Sequence, residues 1–305
     1  MKQMEMKGIS CVCCEDEDYP AGLKELQDRP YMLYHLGTLP EKGRKNVAII
    51  GSRNCSDYGR RSADYFGREL ARVGVGIISG MAVGIDGLAQ TACLKENGVS
   101  YGILGSGVDV IYPRGNMELY KRLIRHGGVI SEYAPGTPAH PLHFPRRNRI
   151  ISGLADLVLV IEAREKSGTF ITVESALEQG RDVYAVPGRI EDTLSTGCNR
   201  LIAAGAGMAG CAEDVMYALG IRDRPVKRGS GSRGKKLKDQ KNAFTGGSRP
   251  GIYRALMEGA RSAEALLKIL GKREAEIQDL LLELMQLEME GLVVCRGGNY
   301  SIVCS

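Results

Sequence analysis

The sequence predicts an α/β protein: a Rossmann-like doubly wound parallel sheet, followed by a small C-terminal winged-helix domain. Three observations carry the prediction. Short apolar, β-branched runs alternate with helix-period segments from Asn46 to about residue 220, and the runs end in glycine, proline or polar loops. After a basic stretch, three helix-period segments precede two short strands around Gly297-Gly298-Asn299. Strands that alternate with helices build a parallel sheet with right-handed crossovers, covered on both faces.

Residues 1–45 show no sustained period; Tyr19-Pro20 and Arg29-Pro30 suggest an irregular N-terminal extension with one short helix near Gly22 to Gln27. The repeating unit then begins. Val47 to Ile50 reads as a strand and Asp57 to Val73 as a helix, with Ala63, Phe66, Leu70 and Val73 on one face. Val75 to Ile78, Tyr101 to Leu104, Val129 to Tyr133, Leu157 to Ile161 and Val183 to Val186 continue as strands, with helices near Ile85 to Glu96 and Met117 to Arg125. Residues 46–220 thus read as one Rossmann-like domain.

Residues 221–250, rich in Gly, Ser, Lys and Arg, bury too little to fold and read as a basic flexible linker. Residues 251–305 recover periodicity. Ile252 to Met257, Ser262 to Leu270 and Arg273 to Glu290 read as helices, and Leu292 to Cys295 with Tyr300 to Val303 as a hairpin, the order of a winged helix.

Composition bounds the function. At 305 residues the chain allows about two domains. No apolar run approaches the roughly 20 residues that cross a bilayer, and no signal-type segment opens the chain, so a cytoplasmic protein with no membrane contact is expected. The nine cysteines read as reduced thiols, and Cys11 with Cys14, lacking a second pair, is not read as a zinc site. Charge is local: residues 222–251 hold ten Lys and Arg against two acids, a net +8, so the overall +5 leaves −3 for the rest. Any nucleic-acid partner must therefore be argued from placed arginines.

In such a sheet, ligands sit at the carboxyl ends of the strands. That edge collects Gly51-Ser52-Arg53, Ser79-Gly80, Gly105-Ser106-Gly107, Ser167-Gly168-Thr169 and Pro187-Gly188-Arg189. Glycines let backbone approach an anion closely, and helix N-termini attract it. Five such loops exceed what a mononucleotide needs and point to an extended phosphate ligand. Arg53 and the Arg146-Arg147-Asn148-Arg149 cluster offer phosphate contacts, while Phe144, His143 or Tyr112 offers a ring for base stacking.

Catalytic motifs are thin. There is no Gly-x4-Gly-Lys-[Ser/Thr] loop and no Gly-x-Gly-x-x-Gly at Gly51 to Gly59, and the four histidines have no metal spacing. No cofactor, metal or catalytic residue is assigned. Asp86, Glu132, Glu162 and Glu174 are read as loop-orienting or capping carboxylates, with acid–base work as the alternative.

These residues carry a resemblance. VAIIGSR (Val47 to Arg53), SGMAVGID (Ser79 to Asp86), GSGVDVIYP (Gly105 to Pro113), Ser131-Glu132, FPRRNRII (Phe144 to Ile151), VIEAREKSGTFIT (Val160 to Thr172), Val186 to Gly188 and GCNRLIAAGA (Gly197 to Ala206) together resemble the DprA/Smf DNA-processing proteins. The resemblance implies a cytosolic single-stranded DNA-binding homodimer that protects the strand and helps load RecA recombinase in natural transformation and recombination, without catalytic turnover. Its phosphate site would comprise Ser52, Arg53, Ser79, Gly80, Gly105, Gly107, Arg146, Arg147 and Arg149, with Ser167, Gly168 and Thr169 closing the pocket. Gln90 stands where the family usually has histidine, and residues 1–39 are too short for the helical N-terminal domain of many members.

A rival resemblance exists: Ser167 to Glu174 is similar to the phosphate loop of nucleotide phosphoribohydrolases. The full arginine set favours the first reading, because a monophosphate needs fewer cations. Within the C-terminal segment, Arg273 to Glu290 carries five glutamates and one aspartate against one basic residue, so it would repel phosphate. A protein-contact role is expected there.

Overall fold

The computed structural model describes residues 8–221 and, further on, 252, 255–256, 261–270, 277–289, 293–296 and 299–302. The chain divides into two compact units, Met1–Val226 and Lys227–Ser305. Residues 222–250 of the expected basic linker, half of the helix expected at 252–257 and the turn at 297–298 lie outside the described residues.

The first unit is built on one nine-stranded sheet. Its strands are β1 (Ser10–Cys13), β2 (Met32–Gly37), β3 (Asn46–Ile50), β4 (Gly76–Ser79), β5 (Ser100–Ile103), β6 (Gly127–Ser131), β7 (Leu157–Val160), β8 (Asp182–Ala185) and β9 (Gly207–Met208). Their order is β1-β2-β6-β5-β4-β3-β7-β8-β9. From β6 to β9 every pairing is parallel, with Ala48 between Ile78 and Val158. The β-branched runs alternate in face as the pleat requires. Val47 and Ile49 pack with Phe66 and Leu70 on one side, Ala48 and Ile50 with Ile150 and Val173 on the other.

The helices are α1 (Ala21–Lys24), α2 (Asp57–Arg72), α3 (Ile85–Lys95), α4 (Met117–Arg125), α5 (His143–Gly153), α6 (Thr169–Glu178), α7 (Thr196–Ala203) and α8 (Ala212–Ala218). Helix α2 starts where Ser56 accepts a hydrogen bond from the Gly59 N–H and buries Ala63, Phe66 and Leu70. Burying the Phe66 and Leu70 side chains contributes about 1.5–3 kcal/mol each.

Residues 8–45 differ from the expected irregular segment. They supply β1 and β2, which pair antiparallel with each other, and β2 pairs antiparallel with β6. The segment is pinned by fully buried Leu23 and Leu33 and by the Tyr19 hydroxyl donating to the Pro30 carbonyl at 2.6 Å. The helix here is α1, shorter than the Gly22 to Gln27 expected.

Chain order fixes where a ligand can sit. From β3, successive strands β4, β5 and β6 step to one side, while β7, β8 and β9 step to the other. The strand order therefore reverses between β3 and β7, and the loops beyond these two strands splay apart to leave a crevice.

In the second unit, α9 (Ala263–Ile269) and α10 (Ile277–Met289) accompany a three-stranded sheet of β10 (Arg261–Ser262), β12 (Asn299–Ile302) and β11 (Val293–Arg296), in that spatial order. Leu266, Leu267, Leu280, Leu284, Leu287 and Val293 form its core. The strand at Arg261–Ser262 pairs with β12 and was not foreseen.

Candidate functional site

The loop after β3 is held by backbone. The Ser52 N–H donates to the Glu162 carbonyl at 2.8 Å, and the Ser52 carbonyl accepts from the Ile85 N–H at 3.2 Å. A Cβ at Gly51 would stand 2.8 Å from the Ile85 side chain, so this approach requires glycine. Across the crevice, Ser167 at the start of α6 bonds Thr169 twice, through its hydroxyl to Oγ1 at 2.9 Å and by accepting from the Thr169 N–H at 3.2 Å. Between these walls runs a groove of about 630 Å³, lined by Ser52, Arg53, Phe144, Asn148, Ser167, Gly168 and Thr169 among others.

The groove joins cation to ring. The Arg53 guanidinium lies 5.7 Å from the Phe144 ring centroid, and the half-exposed Tyr112 ring lies 5.5 Å from Phe144. A small annex continues past Phe144 to Gly80 and Gly105. Two exposed cations that the sequence reading did not single out, Arg164 and Lys166, also line the groove. They precede the Ser-Gly-Thr loop, two residues apart, and Glu165 between them pairs with Arg200.

Four expected ligands lie elsewhere. Ser79 is fully buried and donates its hydroxyl to the Ile49 carbonyl at 2.6 Å. The Gly107 N–H is spent on the Thr137 carbonyl at 2.9 Å. Arg149 is buried against Glu132 and Asp28, each at 2.7 Å, and Arg146, though exposed, leans toward Glu132 at 3.8 Å. For the arginines the physical reason is helix phase: Arg146 and Arg149, three residues apart on α5, share the face toward Glu132, whereas Arg147, 100° on from Arg146, points elsewhere.

Arg147 reaches the groove only from beneath. It is 4% exposed, and its Nη1 donates to the Gly80 carbonyl at 3.0 Å and to that of Ile103. Burial pulls its guanidinium down to about 10, with Asp86 opposing the shift, so it keeps its charge at neutral pH. Burial likewise raises the Asp86 carboxyl above its ordinary range, against the pull of Arg147 and of the Gly80 N–H, which donates to it at 3.0 Å.

The other carboxylates are placed for structure. Glu162 accepts from the Ser56 N–H at 3.0 Å and from the Ser56 hydroxyl, capping α2. Glu174 is exposed and lines a separate depression with Phe170 and Arg200. Gln90 is a core residue, donating to Ser100 Oγ at 3.3 Å and to the Tyr101 carbonyl at 3.0 Å. Among the described residues no cluster of His, Cys, Asp or Glu could hold a metal, and no helix is long and apolar enough to cross a membrane.

Fold and site together define an α/β protein with a cationic, ring-bearing groove at the switch point of its parallel strands. The chain belongs to the family described as DNA recombination-mediator protein A, which matches residues 10–220. It is 41% identical over 219 residues to the DNA processing protein DprA of Bacillus subtilis, covering 71% of this chain and 73% of that protein. It is 33% identical to protein Smf of a Synechocystis species, covering 96% of this chain and 80% of the relative. The solved DprA of Streptococcus pneumoniae superposes with a TM-score of 0.66 at 39% identity, covering 71% of this chain and 77% of that one. DNA processing protein A of Helicobacter pylori, whose structure was described for its single-stranded DNA binding mode, superposes with a TM-score of 0.62 at 28% identity, covering 69% and 95% of the two chains.

Proposed function

We propose that the chain binds single-stranded DNA in the groove between β3 and β7 and delivers the strand to RecA recombinase, as a cytoplasmic homodimer acting in DNA processing and natural transformation. The observation that carries this reading is Arg53 over the Phe144 ring: a phosphate-binding cation beside a stacking surface. Arg164 and Lys166 extend the cationic track, and Tyr112 extends the aromatic one. A base must leave its duplex to reach these rings, so single strands are preferred. Family membership, and what is described for the Helicobacter pylori protein, support the same ligand.

The phosphoribohydrolase alternative is disfavoured by its own carboxylate. Glu174 lines a different depression, and Asp86, the carboxylate that does line the groove, is buried under Gly80. No turnover is assigned.

The domain reading keeps residues 1–45 as an extension, 46–220 as the binding domain, 221–250 as a basic linker and 251–305 as a winged helix. Helix α10 carries Asp279, Glu283 and Glu288 and no basic residue, which supports a protein contact in place of DNA reading.

The test is direct. The full chain is titrated with a labelled oligonucleotide, single-stranded and duplex, at low and moderate salt. The reading expects tighter single-strand binding that weakens with salt; equal affinity for duplex would sink it. Transfer to recombinase is checked separately, by strand exchange with and without the chain.

A further inference from the structure

We propose that Arg147 is a positioning residue: its buried guanidinium ties the ends of β4 and β5 together, so that the Gly80 and Gly105 loops stand at fixed spacing before a DNA strand arrives. The link to DNA rests on the reading above; the tether itself does not.

The geometry is that of a clamp. Nη1 of Arg147 serves the Gly80 carbonyl at 3.0 Å and the Ile103 carbonyl, which close two neighbouring strands. Both carbonyls are buried at strand ends, where leaving them unpaired is costly. Asp86 holds the other side of the same residue by accepting from the Gly80 N–H. Gly80 is wedged between cation and carboxylate, since a Cβ there would stand 2.6 Å from Arg147 Nη2 and 2.7 Å from Asp86 Oδ2.

The helix face that carries Arg147 grips the second loop as well. Phe144, three residues earlier and so on the same face, packs so closely that a Cβ at Gly105 would lie 2.9 Å from its ring. His143 places Nδ1 3.1 Å from the Gly105 carbonyl. The first two turns of α5 therefore hold both loops. A phosphate ligand needs reachable N–H groups; Arg147 offers almost no surface and has committed Nη1 twice, whereas Arg53 stands exposed at the rim.

Salt dependence separates the two roles, because each phosphate contact on a single strand adds about 0.7 to the slope of log K against log salt. Wild type, Arg53→Ala and Arg147→Lys are titrated as full chains with a labelled single strand over a salt series, and amide hydrogen exchange is followed without DNA. Lysine keeps the charge but ends one bond short of Nη1. Arg147→Lys is expected to weaken binding about tenfold, through lost pre-organisation, with an unchanged slope. Amides of 79–84 and 104–107 exchange faster, while the rest of the sheet does not change. A slope reduced by about 0.7 makes Arg147 a phosphate ligand and overturns the proposal, as does unchanged exchange in both loops. If Arg147→Lys fails to fold, the charge-balanced pair Asp86→Asn with Arg147→Met is read in the same way. Loosened loops in a chain whose wild type binds no single strand would support the tether and overturn the DNA reading alone.

Discussion

Arg149 and Glu132 face each other at 2.7 Å, and only 8% of either side chain is exposed. A buried pair of this kind is costly to break from one side, because the survivor is left charged and uncompensated. Arg149→Ala is expected to destabilise the first unit by about 3–5 kcal/mol, seen as a lower urea midpoint, with no change in the salt slope of DNA binding. A reduced slope in a stable variant would return Arg149 to the groove.

Arg53 makes the opposite prediction. It is exposed at the rim and forms no ion pair among the described contacts, so Arg53→Ala should leave the unfolding midpoint within about 0.5 kcal/mol of wild type. Its single-strand affinity should fall, with the slope against salt lower by about 0.7. Unchanged affinity would rule out the assigned groove.

Gly84 couples the loop before α3 to the loop after β3. It has φ +82°, and a Cβ there would crowd the Ser52 carbonyl oxygen most closely and lie 2.5 Å from the Arg53 carbonyl oxygen. Gly84→Ala therefore combines a disfavoured backbone with a clash and should cost about 2–4 kcal/mol. Because the clash is with the Ser52-Arg53 backbone, weaker DNA binding should accompany the lower midpoint. Wild-type binding in the alanine variant would show that the Arg53 backbone position is not required.

Alkaline pH should weaken the fold through two thiols. Burial pushes Cys93 and Cys198 up to about 12 from an ordinary 9.0. Between these values the unfolded chain releases protons that the folded chain retains, so stability is full below pH 9 and is lost as pH rises toward 12. Each thiol contributes a decline of about 1.4 kcal/mol per pH unit in that window. Urea midpoints at pH 8 and pH 10 should differ accordingly, and the difference should shrink in Cys93→Ala with Cys198→Ala; a flat profile would contradict the burial of both thiols.

The groove belongs wholly to the unit that ends at Val226. A chain stopped there should keep its preference for single strands over duplex, measured by the same titration. Loss of that preference would assign DNA reading to the second unit.

The sheet was legible because parallel strands buried on both faces read as unbroken apolar runs, and those from Val47 to Val186 are separated by clear helical periods. β1 and β2 were not, since Ser10–Cys13 and Met32–Gly37 mix polar and apolar residues on an antiparallel edge, where pairing with β6 decides the outcome. Arg53 and the Ser167 to Thr169 loop line the groove, and Gly80 and Gly105 line its annex. The members of the arginine cluster could not be told apart in sequence, because composition does not give helix phase. Arg146, Arg147 and Arg149 look alike in sequence, yet one is exposed, one clamps two strands and one is buried against Glu132. Asp28 and Glu132, the carboxylates that hold Arg149, lie 121 and 17 residues away, too distant in sequence for spacing to reveal.

The antiparallel pairing of β2 with β6 joins Tyr34 to Ser131 and Gly37 to Gly128. During synthesis, residues 10–37 emerge long before the strand that receives them, and a lone two-stranded ribbon is marginal in water. The nascent ribbon must therefore wait, exposed, while β3, β4 and β5 emerge, and it docks only when β6 completes the edge.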